Sequence, residues 1–280
     1  MGIYLRPGSL GEALKALASG TLTVVAGGTD FYPARVGRPL DEDVLDVTAI
    51  PDLAGVSESD DHFRIGATTT WTEIAKADLP AMFDGLRSAA REVGGVQIQN
   101  AGTIGGNLCN ASPAADGVPP LLTLEARVEL RSETETEVLP LAEFITGNRA
   151  TVLGRDRLMT AVLVPKPRRP AIGRFRKLGA RRYLVISIVA AAAVVEVEDS
   201  GVVGAARVAV GACSPVACRL AELEQALIGR PCDGRLGKVV AEAHLAPLAP
   251  IDDIRATAAY RRDAALTLVR RLLDELGRAA

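Results

Sequence analysis

The sequence is poor in aromatic rings, histidine and cysteine. Aromatic residues make up 4% of its 280 positions against 48% hydrophobic residues in all, so its core must be built from aliphatic side chains and alanine. Two histidines and four cysteines (Cys109, Cys213, Cys218 and Cys232), with no C-x-x-C pair, give no spacing for a metal or iron–sulfur site held by this polypeptide. Nor do the cysteines space like a disulfide framework, which points to reduced thiols in a cytoplasmic protein. Charge is nearly balanced, 32 basic residues against 34 acidic, for a net −2; general affinity for nucleic acid is not expected. The N-terminal "MGIYLRPGSLGEALKAL" lacks the apolar core of a secretory signal. The longest apolar run, Leu184 to Val195, is too short to span a bilayer, so no membrane insertion is expected. No G-x-S-x-G supports a serine hydrolase.

What the chain does contain is clear punctuation. Ser9 and Glu12 form a capping box ahead of a stripe of Leu10, Ala13, Leu14 and Leu17, and Gly20 ends that helix. "LTVVA", "DVLDV" and "HFRIGA" read as short strands. Thr70 and Glu73 repeat the capping box, and "AMFDGLRSAAREVG" reads as a helix ending at Gly94. "VPPLLTLEA" suggests a helix with proline in its first turn; "RVELRSETETEVLP" suggests a hairpin with an acidic tip, and "RLMTAVLVP" a strand. The stretch "PKPRRPAIGRFRKLGARR" then brings three prolines and eight basic residues without an acid. It reads as a solvated linker at a domain boundary or as a contact surface for a partner subunit. Beyond it come strand, turn, strand and then helices, so the chain is α+β in two parts, 1–166 and 167–280.

Two stretches offer little to pack and much to hydrogen-bond: "AGGTD" (Ala26 to Asp30) and "NAGTIGGNLCNASPAAD" (Asn100 to Asp116). A strand running into Gly-Gly lets backbone N–H groups approach an anion with no Cβ in the way, forming a concave nest. Thr29, Thr103 and Asn107 add side-chain donors. A pair of such loops suits a diphosphate, while a tight turn explains either loop equally well by itself. Neither has the G-x-G-x-x-G spacing of a Rossmann dinucleotide site.

Taken together, "AGGTD", "QIQNAGTIGGNLCNASPAAD" and "FRKLGARR" resemble the FAD-binding medium subunits of the molybdenum hydroxylases, the family of carbon monoxide, xanthine and nicotinate dehydrogenases. The resemblance implies an FAD-binding domain of the vanillyl-alcohol oxidase (PCMH) type, in two α/β subdomains. A smaller α+β C-terminal domain with an antiparallel sheet and helices would follow. It implies FAD as cofactor, with Ala26, Gly27, Gly28, Thr29 and Asp30 around the pyrophosphate. Thr103, Gly105, Gly106 and Asn107 would form a second phosphate- and ribityl-contacting loop. Asp116 would bond the flavin's sugar-like chain, and Lys177 would reach the isoalloxazine edge. Asp30 stands where many relatives have serine; a carboxylate aimed at a pyrophosphate is repelled, so it is expected to turn away or bond the backbone. No cysteine-rich insertion suggests an extra iron–sulfur cluster in this chain.

The implied function is electron transfer. A molybdopterin large subunit would oxidise the substrate, an iron–sulfur small subunit with two [2Fe–2S] clusters would relay electrons, and FAD here would pass them to NAD⁺, oxygen or another acceptor. No catalytic residue is expected in the chain itself. The alternatives are a stand-alone FAD-dependent reductase of the same fold, and a binding module that has lost its cofactor.

Overall fold

The computed structural model describes residues 2–37 and 39–279. Helix α1 (Leu10–Ser19) starts where the sequence places it: the Ser9 hydroxyl accepts the Glu12 N–H at 3.3 Å, a cap worth about 1 kcal/mol. Its apolar stripe covers a small parallel sheet of β1 (Tyr4–Leu5), β2 (Thr23–Val25) and β3 (Val44–Asp46), with β3 central.

A second sheet is antiparallel throughout. It holds β4 (Val56–Glu58), β5 (His62–Gly66), β6 (Arg127–Arg131), β7 (Thr136–Pro140) and, beyond a separate hairpin of β8 (Ile145–Gly147) and β9 (Ala150–Thr151), β10 (Leu158–Pro165). The order across it is β4-β5-β10-β6-β7. Between β5 and β6 run five helices: α2 (Trp71–Lys76), α3 (Asp84–Glu92), α4 (Val96–Ala101), α5 (Ile104–Asn110) and α6 (Val118–Thr123). The one-turn α7 (Leu141–Phe144) follows β7. The Thr70 capping box forms as read: Thr70 Oγ1 accepts the Glu73 N–H at 3.2 Å and the Glu73 carboxylate accepts the Thr70 N–H at 2.7 Å.

The third sheet, β11 (Ala171–Leu178), β12 (Val189–Val197), β13 (Val203–Gly211) and β14 (Cys218–Arg219), is antiparallel in chain order. On one face, Val189, Ala191, Ala193 and Val195 of β12 join a core with α8 (Ala221–Leu227) and α9 (Ala258–Ala279). On the other, Ala190 and Ala192 meet Ala89 of α3 and Phe175 of β11, and Val194 joins the core of the second sheet. Burial on both faces explains the long apolar run, and alanine keeps it thin enough to be covered twice. No helix among the described residues is long and apolar enough to cross a membrane.

Two expectations need correction. The basic stretch is not a solvated linker: its residues 171–178 are strand β11, paired with β12 along its whole length. Ala171, Gly173 and Phe175 alternate inward, while the charged residues between them find partners. Arg174 Nη1 lies 2.8 Å from Asp84 Oδ2, and Arg176 Nε donates to Glu275 Oε2 at 2.7 Å. The glycine-rich stretch before Asp116 is likewise not one long loop. Helix α5 occupies "IGGNLCN", preceded by α4 on "VQIQNA".

The seam between the third sheet and the helical layer is tight at Gly173, where a Cβ would fall 2.1 Å from the Met82 carbonyl oxygen. Gly173→Ala is therefore expected to push β11 off the turn that precedes α3 and to cost about 1–3 kcal/mol. Urea unfolding followed by circular dichroism should show a lower midpoint; an unchanged midpoint would mean that this seam yields freely.

Candidate cofactor site

The two glycine stretches meet. Gly27 packs so close to the α4–α5 turn that a Cβ on it would lie 1.8 Å from the Ala101 carbonyl oxygen, and a Cβ on Gly102 would lie 3.5 Å from the Thr29 hydroxyl. Between and around them opens a cleft of about 660 Å³, within the range of small-molecule sites. Its walls include Val24 to Phe31, Gly102, Thr103, Gly106, Asn107 and Asn110, with Trp71 and Val93 beneath and Arg35 and Arg149 alongside.

The two stretches present opposite hydrogen-bonding faces. The N–H groups of Gly27, Gly28, Thr29, Asp30 and Phe31 have no hydrogen-bond partner among the described residues. Gly28 holds a left-handed φ of 67°, which a β-branched residue could not adopt without strain, and its carbonyl accepts the Tyr32 N–H at 3.1 Å. Five successive unpaired donors on residues that line one cleft fit the nest that the sequence suggested.

In the second stretch the amides of Ile104 to Asn107 are already spent. Ile104 N–H donates to Thr69 O at 3.0 Å, Gly105 N–H to Ala67 O at 2.8 Å and Asn107 N–H to Thr103 O at 3.0 Å. The Thr103 hydroxyl accepts the Gly106 N–H at 3.1 Å as the N-cap of α5. Gly105 is buried, with Ala67 2.7–2.8 Å from where its Cβ would stand. Toward the cleft this stretch turns the exposed backbone of Gly106, the unpaired Thr103 N–H and Asn107, whose Oδ1 is buried without a hydrogen-bond partner among the described residues. A buried, unpaired amide oxygen beside a cleft is costly unless a ligand or water satisfies it.

Asp30 does not bond the backbone through its carboxylate. Its Oδ2 accepts from the Asn110 side-chain amide and lies 3.4 Å from Arg149 Nη1, which also donates to Asn110 Oδ1. Arg35 is held by an ion pair to Glu42 and stacks on Phe31, its guanidinium 3.8 Å from the ring centroid. Arg35 and Arg149 were not legible as site residues, because no local motif marks them and Arg149 lies 119 positions from Asp30; Asn110 lies within the second stretch but was not singled out there.

Asp116 and Lys177 are brought together just behind the cleft rather than in its wall. Lys177 Nζ lies 2.6 Å from Asp116 Oδ2 with side-chain exposures of only 5% and 7%, and it also donates to Glu92 O at 3.1 Å. Ser187 Oγ donates to Asp116 Oδ1 at 2.5 Å. Burial raises the Asp116 carboxyl above the usual carboxylate range while Lys177 opposes the rise; burial raises Glu92 in the same way. The cluster adjoins the cleft at two points. Val93 of the wall follows Glu92, and a Cβ on Gly117, next to Asp116, would lie 2.9 Å from Asn107 Oδ1.

Comparison with known proteins gives a consistent picture. Residues 1–167 match the family described as FAD binding domain in molybdopterin dehydrogenase, and residues 174–276 match the CO dehydrogenase flavoprotein C-terminal domain. The chain is 33% identical to the nicotinate dehydrogenase FAD-subunit of Eubacterium barkeri, over 74% of this chain and 72% of that one. It is 28% identical to the xanthine dehydrogenase FAD-binding subunit of Escherichia coli O157:H7, over 99% and 96%. Its structure superposes on a chain of carbon monoxide dehydrogenase from Hydrogenophaga pseudoflava with a TM-score of 0.88 at 27% identity, covering 98% of this chain and 96% of that one.

Cys109 also lines the cleft, but burial pushes its thiol up to about 12; burial takes Cys213 equally high against the opposing charges of Arg261 and Arg262. Both are expected to resist alkylation at pH 8 in the folded chain, since the thiolate is the reactive form. Both should react once the chain is denatured. Rapid modification of Cys109 in the native state, read by mass spectrometry, would contradict this.

Proposed function

The chain belongs to the FAD-binding subunits of the molybdenum hydroxylases, and on that premise we propose that it is the flavin relay of a multi-subunit dehydrogenase. Its electrons would come from the [2Fe–2S] clusters of an iron–sulfur small subunit, filled in turn by a molybdopterin large subunit that oxidises the organic substrate. NAD⁺, oxygen or another carrier would take them away. Bound FAD supplies a group that accepts electrons singly and releases them as a pair.

The observation that carries this reading is the row of five free N–H groups from Gly27 to Phe31 facing a cleft that also holds the unpaired Asn107 Oδ1. The residues fit the cofactor. Ala26 to Asp30 would hold the diphosphate through backbone donors and the Thr29 hydroxyl. Asn107 would bond the ribityl hydroxyls, which supply the donor its Oδ1 lacks. Thr103 and Gly105 hold that segment in place, and Gly106 lets the ligand come close. At the far end, Asp116 would bond the same polyol chain. Lys177, steadied by Asp116 and the Glu92 carbonyl, would set a cation near the flavin ring, where it would stabilise the negative charge that reduction brings. Burial makes that cation's field stronger than it would be in water. The domain division at residue 166 belongs to the same reading, with Lys177 reaching back from the second part to the first.

The full-length chain is expected to bind one FAD, measured by quenching of flavin fluorescence and by its absorbance. Asn107→Ala should weaken binding about 5- to 30-fold, the loss expected for one to two kcal/mol of hydrogen bonding. Gly28→Val should weaken it more, by forcing a β-branched residue to a positive φ. Mixed with organic substrates of the related dehydrogenases, the loaded chain alone should leave its flavin oxidised. Absence of FAD binding by a folded chain, or reduction of the flavin by substrate without other subunits, would defeat the proposal.

A further inference from the structure

Asp30 is an awkward residue for an anion site. It stands within the row of free N–H groups, its side chain 63% exposed, and an unneutralised carboxylate there would repel a diphosphate. We propose that Arg149 is the positioning residue that resolves this conflict: through Asn110, it holds the Asp30 carboxylate aside and cancels its charge, so that the amide row keeps its affinity for the diphosphate. The inference rests on the FAD reading above.

Three segments meet in this contact. Asp30 comes from the first glycine stretch, Asn110 is the last residue of α5, and Arg149 sits in the turn of the β8–β9 hairpin. Arg149 Nη1 reaches both the Asn110 amide oxygen and Asp30 Oδ2, and the Asn110 amide nitrogen donates to the same carboxylate oxygen. The backbone is arranged for this. Arg149 has a left-handed φ of 56° and Ala111 one of 46°, and the two are joined by the Arg149 N–H donating to Ala111 O at 2.9 Å. Arg149's positive φ belongs to the two-residue hairpin turn and Ala111's to the C-cap of α5, so the turn and the helix end are held together beside Asp30. The other arginine of the cleft is already committed, since Arg35 pairs with Glu42, whose second oxygen accepts the Thr23 hydroxyl at 2.5 Å. Arg149 thus supplies the counter-charge to Asp30. Its Nε and Nη2 groups make no hydrogen bond among the described residues, so they remain free to face the ligand.

The test is a double-mutant cycle on FAD affinity in the full-length chain, read by flavin fluorescence at about 50 mM and about 500 mM salt, between which screening changes strongly. Arg149→Gln should weaken FAD binding about tenfold at low salt, as expected for a carboxylate left unbalanced within the row of amide donors. That loss should shrink at high salt. Adding Asp30→Asn to Arg149→Gln should restore affinity to within about threefold of wild type. Unchanged binding by Arg149→Gln would overturn the inference. So would a double variant as weak as Arg149→Gln, which would make Arg149 a direct ligand or a scaffold residue instead. Failure of the wild type to bind FAD would sink the underlying reading and is seen in the same experiment before any variant is compared.

Discussion

The cleft depends on one approach of backbone to backbone. Gly27 lies against the Ala101 carbonyl with no room for even a methyl group, and this contact sets the first glycine stretch beside the start of α5. The arrangement of the cleft follows from it. The chain turns away from β2 with its amides unpaired, Thr29 comes to rest beside Gly102, and Asp30 arrives within reach of Asn110. On the other side, the rungs from Ala67 and Thr69 to Gly105 and Ile104 fix the second stretch to the end of β5. On the proposed reading, one stretch would be the binding surface and the other the wall that holds it. Glycine serves both, as a flexible exposed backbone in the first and as a close-packing residue in the second.

A second constraint joins the third sheet to the helical layer of the second. Lys177 on β11 and Ser187 both end on Asp116, and Lys177 also binds the Glu92 carbonyl. Charges this buried are costly alone, and removing one partner of such a pair destabilises a protein by about 3–5 kcal/mol. The same residues that would serve the flavin therefore also fasten the parts of the chain together. Arg174 with Asp84, and Arg207 with the Thr123 carbonyl at 2.9 Å, reinforce the seam. Such a joint keeps Lys177 at a fixed place relative to the cleft, as its proposed role beside the flavin would require.

Features set by local chemistry were legible in the sequence. The Ser9 and Thr70 caps, the stripe of α1, the hairpin of β6 and β7 and the turn before β13 all rest on residues a few positions apart. The first nest was legible for the same reason. Helix α5 was hidden because Gly105 and Gly106 weaken helical propensity; its start is stabilised by Ala67 and Thr69, distant in sequence. Strand β11 was masked by its charge, although Gly173 and Phe175 alternate with Arg174 and Arg176 at the period of a strand. That alternation was the available signal. Arg149 carried none, since its place is decided by a hairpin turn and a partner far along the chain.

On the proposed reading the diphosphate would be received by the amides of the first stretch and not by those of Ile104 to Asn107. Residue-resolved amide hydrogen exchange of the full-length chain, with and without saturating FAD, tests it directly. Gly27 to Phe31 should exchange freely in the absence of FAD and become protected when it is added. Ile104 to Asn107 should change little, being bonded within the protein already. Protection that appears at Ile104 to Asn107 while Gly27 to Phe31 stay open would contradict the account.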